Sequence, residues 1–312
     1  YNLNKSIFKK YKNYKIISLS ATEKNKSFSN LNNIINQLLN YNITRKSKLI
    51  AIGGGIIQDI VCFISSTIFR GINWIFYPTT LLAQADSCIG SKSSINFKKY
   101  KNLIGTFYPP LEINIDVSFL NTLDRDQIHS GIGEILKVYI ISKSKKIIDL
   151  KNIIKNKSFL VKHLNTHIEE SLKIKKKIIE LDEFDRNVRR ILNYGHSFGH
   201  AIESATNYNI PHGIAVTIGM DIANYLSNKK GNLDDKKYNL YRDCLSANAG
   251  KYYTYKINQK KIIAALSKDK KNIDNKNFNL ILWNQKKLLD IVSIKNNKIF
   301  KKELESYFVS KN

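Results

Sequence analysis

The chain has 312 residues, 43% hydrophobic and 11% aromatic, enough for one large or two ordinary cores and too apolar for a disordered tail. Its net charge of +26 would ordinarily point to nucleic acid or an anionic surface. Lysine, asparagine and isoleucine recur everywhere, however, as in Lys173-Ile-Lys-Lys-Lys-Ile178, and no basic stripe stands apart, so compositional bias explains the charge and neither nucleic acid nor a membrane is an expected partner.

Residues 14–19 read as a short strand, followed by a helix with Leu31, Ile34, Ile35, Leu38 and Leu39 at helical spacing. Residues 48–52 form a strand of the fully buried kind that ends in Gly53-Gly54-Gly55, and a second helix runs from there to about Phe69. Residues 74–77 and 113–116 read as further strands. Strands alternating with helices predict a Rossmann-like parallel sheet with helices on both faces. From about residue 120 the pattern becomes helical over 127–142, 146–179, 187–205, 213–228, 234–247 and 258–267, with a late strand at 278–283. The expected fold class is an α/β domain over 1–120 followed by a mainly α-helical domain over 121–312. Ligand sites favour such junctions.

Three cysteines, Cys62, Cys88 and Cys244, with no CxxC make no disulfide framework and predict a reducing, cytoplasmic setting. The most apolar stretch, 50–69, contains three glycines, Gln58 and Asp59, which argues against a membrane span, and no signal peptide is visible. A first residue of Tyr suggests a sequence that begins inside a longer protein.

The glycine run between a strand and a helix lets backbone approach a pyrophosphate, but it is equally a tight structural turn and departs from the usual G-x-G-x-x-G spacing. Asp59 is either a solvated carboxylate or a partner for a cofactor hydroxyl. Thr79 and Thr80, at the end of a strand, either cap backbone or meet a ligand. His196 and His200 lie four apart, on one helical face, and His212 follows between Pro211 and Gly213. Three protein ligands and an open position suit catalytic zinc, and Glu134 could supply the oxygen. His163 and His167 share the same spacing without glycine flanks, and read as surface histidines. Among the many basic side chains, Arg70 and Arg189 are the most informative, because arginine binds carboxylate and phosphate bidentately.

In order along the chain, Gly53-Gly-Gly-x-x-x-Asp59, Arg70-Gly, Pro78-Thr-Thr-Leu-Leu-Ala-Gln-x-Asp-Ser87, Lys92-x-x-x-Asn96, Lys101-Asn-x-Ile-Gly-x-Phe107, Thr122-Leu123, Ser130-Gly-x-x-Glu-x-x-Lys137 and Asn193-x-Gly-His-x-x-Gly-His-Ala-Ile-Glu203 resemble the 3-dehydroquinate synthase family of the sugar-phosphate cyclases. The resemblance runs from about residue 15 to residue 285. It implies conversion of a phosphorylated keto acid, 3-deoxy-arabino-heptulosonate 7-phosphate, to 3-dehydroquinate and phosphate, with NAD transiently reduced and a divalent metal, Zn2+ or alternatively Co2+, polarising the substrate oxygens.

By the same resemblance Glu134, His196 and His212 hold the metal, and His200 serves proton transfer. Glu23, Lys26, Gly54, Gly55, Asp59, Thr79, Thr80, Asp86, Ser87, Lys101, Thr122 and Leu123 line NAD. Lys92, Asn102, Lys137 and Asn193 surround the substrate and its phosphate, joined by Arg70 from the neighbouring subunit of a homodimer. Lys175 and Arg189 hold the carboxylate, and Lys271 matches a late family lysine. Gly90-Ser91-Lys92 replaces the family's Gly-Gly-Lys, and Asp126-Gln127 replaces its Arg-Glu. The family's first fifty or so residues have no counterpart, so part of the adenosine pocket is expected to be lacking. Sister cyclases acting on sugar phosphates without a carboxylate, and metal-dependent alcohol dehydrogenases of related fold, are the competing readings.

Overall fold

The computed structural model describes residues 13–98, 100–155, 160–268 and 277–310, and it divides into two compact units, Tyr1–Asp124 and Arg125–Asn312.

In the first unit a 3-10 turn at Glu23–Lys26 leads into α1 (Phe28–Asn40), then β1 (Leu49–Gly53), α2 (Gly55–Thr67), β2 (Trp74–Pro78), β3 (Ile95–Phe97), β4 (Tyr100–Ile104) and β5 (Glu112–Ile113). Strands β1, β2 and β5 make a parallel sheet in that order. The apolar stripe of α1, Leu31, Ile34 and Leu38, packs with Ile60 and Ile64 of α2 and with Ile95. Burying that stripe is what makes α1 a stable helix, since its propensity alone is marginal at this length. The register sets Gly53 opposite Pro78, so the glycine turn and Thr79-Thr80 emerge side by side at the carboxyl ends of their strands. That is the end where open α/β sheets bind ligands. Thr79 N–H donates to the Gly53 carbonyl at 3.0 Å and locks the two turns together.

Several expectations need correction. Residues 14–19 form no strand: they pair with no ladder among the described residues, and Ile17 and Leu19 instead lie against the α1–α2 cluster. The strand expected at 113–116 is only Glu112–Ile113, because the chain turns at Asp116, whose carboxylate accepts from Ser118 N–H and caps a 3-10 turn. The second helix stops at Thr67. Phe69, Arg70 and Gly71 all take positive φ, of 52°, 66° and 125°, which no α-helix continues through. Strands β3 and β4 pair as an antiparallel hairpin, and residues 83–87 close a π-helical turn.

The second unit runs α3 (Arg125–Ser142), α4 (Ile147–Lys155), α5 (Leu160–Leu181), α6 (His196–Ala205), α7 (His212–Lys229), α8 (Asp235–Ala249), α9 (Gln259–Ser267), β6 (Asn277–Trp283), β7 (Leu289–Lys295) and α10 (Lys298–Val309). Of the helix expected over 146–179, α4 and α5 cover 147–155 and 160–181, and 156–159 lie outside the described residues. The one expected over 187–205 breaks at Gly195, whose φ of +78° ends a 3-10 turn at Val188–Asn193 and starts α6. The late strand gains an antiparallel partner in β7 and a closing helix, α10.

Helix α7 is the centre of this unit, buried from Gly213 to Ser227 and packed against α3, α6, α8 and β6. A helix apolar nearly all round belongs in such a place. Its one buried carboxylate, Asp221, accepts hydrogen bonds from the Tyr253 and Tyr307 hydroxyls at 2.7 and 2.8 Å, tying α10 to the core. Among the described residues no helix is long and apolar enough to cross a membrane.

Candidate metal and cofactor sites

Helices α3, α6 and α7 each deliver one group to a common point. Glu134 lies mid-way along α3, His196 is the first residue of α6, and His212 is the first of α7. Glu134 Oε1 is 3.7 Å from His196 Nε2 and 3.5 Å from His212 Nε2. One donor atom from each of the three falls within 4.8 Å of the others, a set able to close on one ion.

Glycines hold these helices close. A Cβ on Gly133 would collide with the Gly213 carbonyl, and one on Gly213 with the Ser130 carbonyl, so α3 and α7 cross backbone to backbone beside Glu134 and His212. Ser130 Oγ accepts from Gly213 N–H at 2.9 Å, and Asn248 joins His129 of α3 to Thr217 of α7. The neighbour that Gly195 and Gly199 admit is likewise α7, at Val216 and Met220.

The electrostatics fit a cation. Burial opposes ionisation of Glu134, yet Lys137 and the two imidazoles hold its carboxyl well below the usual range. Lys137 Nζ is 2.6 Å from Glu134 Oε2, leaving Oε1 to face the histidines. Burial and the nearby Lys137 push His196 well below its ordinary value, so it is neutral. Burial also disfavours charge on His212, but hydrogen bonds to Glu134 and Glu203 outweigh it and raise the imidazole to about 9. Both ring Nδ1 atoms are occupied: His196 Nδ1 lies 3.2 Å from the Tyr194 carbonyl and His212 Nδ1 3.1 Å from Glu203 Oε2. With Nδ1–H donating, neutral His196 keeps its Nε2 lone pair for the common point, whereas His212 is held protonated between two carboxylates and would release its Nε2 proton to a bound ion. A divalent zinc-type ion suits one carboxylate and two imidazoles with an open fourth position.

His200, one turn along α6, is exposed and stacks on His212 with ring centroids 5.6 Å apart. Lys175 and Arg189 are both buried basic residues, on α5 and on the 3-10 turn packed against it, and an Arg189 N–H donates to the Glu183 carbonyl. Asn193 donates to the Arg190 carbonyl at 3.1 Å. Lys271 lies outside the described residues. His163 is exposed as expected, but His167 is not a surface histidine: it is buried, with Nδ1 2.8 Å from the Tyr139 hydroxyl. Its place on the apolar side of α5 decides that.

In the first unit the glycines divide the work. A Cβ on Gly54 would press on the Thr80 side chain at 2.8 Å, whereas one on Gly55 would meet nothing within 4 Å. Gly54 is therefore needed for the turn, and the space over Gly55 at the α2 N-terminus is open to a phosphate group. Several of the remaining expected cofactor residues are engaged within the protein. Lys26 Nζ is 2.7 Å from Asp59 Oδ2, and Ser94 N–H and Oγ donate to the same carboxylate at 2.9 and 3.1 Å. Burial pushes the Asp59 carboxyl up, with Lys26 and Ser94 acting against it. Ser87 exchanges two 2.6 Å hydrogen bonds with Gln58, and Thr122 Oγ1 donates to the Phe119 carbonyl at 3.0 Å. Asn96 donates to Glu23 at 2.8 Å and accepts from Asn102 N–H at 2.8 Å, with Lys101 3.9 Å from Glu23. Thr79, Asp86 and Leu123 lie on the same carboxyl-end turns. Lys92 is exposed over the Phe107 ring at 5.9 Å, and Arg70 is exposed on the left-handed kink. Ser91 takes φ +58°, the conformation that glycine would hold without strain.

Sequence reading missed Glu203, Gln58 and the Lys137–Glu134 pair. Glu203 follows His196 by seven residues and His200 by three on one helix face, but nothing along that helix pairs it with His212.

Known proteins resemble this chain over most of its length. A family model described as 3-dehydroquinate synthase N-terminal matches residues 16–130, and one described as 3-dehydroquinate synthase C-terminal matches residues 131–272. A 3-dehydroquinate synthase of Clostridium perfringens (strain SM101 / Type A) is 39% identical over 278 residues, covering 86% of this chain and 76% of that protein. A solved 2-deoxy-scyllo-inosose synthase, complexed with carbaglucose-6-phosphate, NAD+ and Co2+, superposes with a TM-score of 0.83 at 25% identity over 94% of this chain and 83% of its own. The 2-epi-5-epi-valiolone synthase from Streptomyces hygroscopicus subsp. jinggangensis 5008, with NAD+ and Zn2+ bound, gives 0.78 at 25% identity over 94% and 81%.

Proposed function

The chain belongs to the 3-dehydroquinate synthase family, and from that premise we propose that it converts 3-deoxy-arabino-heptulosonate 7-phosphate to 3-dehydroquinate and phosphate, using NAD and a divalent metal, Zn2+ or Co2+. The observation that carries the proposal is the convergence of Glu134, His196 and His212 from three helices with their Nε2 and Oε1 atoms inward.

NAD supplies a hydride acceptor that returns the hydride, and the metal supplies a Lewis acid for the reacting oxygen. The chain's own residues do the rest. Lys137 neutralises the outer oxygen of Glu134 and keeps that carboxylate ionised for the ion. His200, exposed beside His212, is the group that takes and gives the proton. Lys175 and Arg189 bind the substrate carboxylate, a task that suits basic groups held out of bulk water. By the family resemblance, Lys92 and Asn102 of the first unit and Asn193 of the second are the groups assigned to the substrate's phosphate and hydroxyls, with Arg70 contributed by the second subunit of a homodimer. The NAD-binding part is the first unit, with Gly54, Gly55, Asp59 and the turns after β1 and β2 around the cofactor. Three free, buried cysteines suit the cytoplasm.

A sister-cyclase activity on glucose 6-phosphate or sedoheptulose 7-phosphate is the second reading, favoured by the structural likeness to the inosose and valiolone synthases. Phosphate release measured with all three sugar phosphates side by side decides between them. Release from the heptulosonate phosphate alone supports the proposal; release only from a substrate lacking the carboxylate overturns it.

A further inference from the structure

We infer that Glu203 is the positioning residue that fixes His212 as a metal ligand, an inference that rests on the metal reading of Glu134, His196 and His212. Three observations lead to it. The first is that the two histidines are held differently. His196 Nδ1 meets the carbonyl of Tyr194, two residues away in its own chain segment, so local backbone sets its ring. His212 opens α7 straight after Pro211 and its Nδ1 meets Glu203 Oε2 at 3.1 Å, a side chain from another helix.

The second is exposure. The His212 side chain is 35% accessible against 14% for His196 and 2% for Glu134, so packing alone leaves its ring the least constrained of the three. The Glu203 side chain is 6% accessible. A carboxylate is rarely buried without a partner that needs it. The third is that α6 carries both His196 and Glu203, seven residues apart and so nearly in line on one face. One rigid helix thereby supplies a ligand and the orienter of another ligand, and the spacing between the two histidines is set by α6 itself.

A carboxylate accepting from Nδ1–H does two things. It fixes the tautomer so that Nε2 keeps its lone pair, and its negative charge makes that lone pair a better donor. Glu203→Gln keeps an acceptor oxygen and removes the charge, whereas Glu203→Leu removes both. A rival use of the same groups is a second ion on His200, Glu203 and His212, whose donor atoms also fall within 4.8 Å of one another. The hydrogen bond already made by His212 Nδ1 favours the positioning role.

The test measures zinc stoichiometry and dissociation constant by chelator competition on the full chain, and the visible absorption of the Co2+-loaded protein. Wild type should bind one ion. Glu203→Gln should raise the dissociation constant about tenfold and Glu203→Leu up to about 100-fold, with an altered Co2+ spectrum, unchanged NAD affinity and a lower kcat at unchanged KM. Unchanged metal affinity and spectrum in both variants overturn the inference alone. Loss of one of two bound ions also overturns it, because Glu203 would then be a ligand. Failure of wild type to bind any ion overturns the metal reading together with it. Should Glu203→Leu not fold, the isosteric Glu203→Gln decides by the same criteria.

Discussion

The two units present their expected site residues in opposite ways. In the helical unit, groups distant in sequence converge on a point, and the helices that carry them meet at Gly133 and Gly213 with no room for a side chain between. In the α/β unit the expected residues are tied into the framework: Lys26 to Asp59, Glu23 to Lys101, and Ser87 to Gln58. The lesson is about charge. A metal centre concentrates donors that only an ion can satisfy together, whereas a dinucleotide site is built largely from backbone and open space, leaving its polar side chains free to support the framework.

Removing one member from each region should expose that contrast. In the helical unit, Glu134→Gln or His212→Ala should lower kcat/KM by at least about 10³-fold, the several kcal/mol that a Lewis acid supplies, while the far-ultraviolet circular dichroism stays that of wild type. A variant with full turnover would separate these residues from the chemistry.

In the α/β unit the largest effect should be on stability. Lys26→Met leaves Asp59 buried without its ammonium and should cost about 3–5 kcal/mol in denaturant unfolding. The sign of its pH dependence follows. The Asp59 carboxyl is already raised by burial, and losing Lys26 raises it further. A group with a raised folded value contributes its stability at low pH and loses it as pH climbs, so the deficit of Lys26→Met should shrink on acidification. A deficit that grows instead would mean that the carboxylate is solvated.

A smaller effect separates the glycines. Gly55→Ala should leave the melting temperature near that of wild type while weakening NAD binding about tenfold, because its Cβ enters open space rather than protein. Gly54→Ala should destabilise the turn as well, since its Cβ meets Thr80. Equal melting losses for both would remove the distinction. The smallest effect concerns Cys62, whose thiol burial pushes up to about 12. It should resist alkylation at pH 8 in the native state and react on unfolding; rapid native labelling would contradict its burial.

Much of this was legible in the sequence, for reasons that differ by region. The continuous apolar run before Gly53 gave β1, and the 3.6-residue stripes gave α1, α3, α7, α8 and α9. The breaks were not legible. Helical periodicity continues across 187–205 although Gly195 turns left-handed there. Residues 14–19 look like a strand by composition, but a strand needs a partner, and theirs is a helix pair instead. Spacing alone pairs His196 with His200, so the three residues proposed as ligands were singled out by the family resemblance. Glu203 was not, because its role depends on a turn of chain bringing His212 back to α6, which spacing along a single helix does not reveal. His167 was misread because a charge-rich helix hides a buried face.

The central claim is that Glu134, His196 and His212 close on one ion, and a crystal of the protein grown with zinc tests it most directly through the anomalous signal at the zinc edge. The account predicts a single strong peak about 2.0–2.2 Å from Glu134 Oε1, His196 Nε2 and His212 Nε2, with a fourth position open. A zinc-loaded crystal whose peak lies away from these atoms, or shows none there, would contradict it.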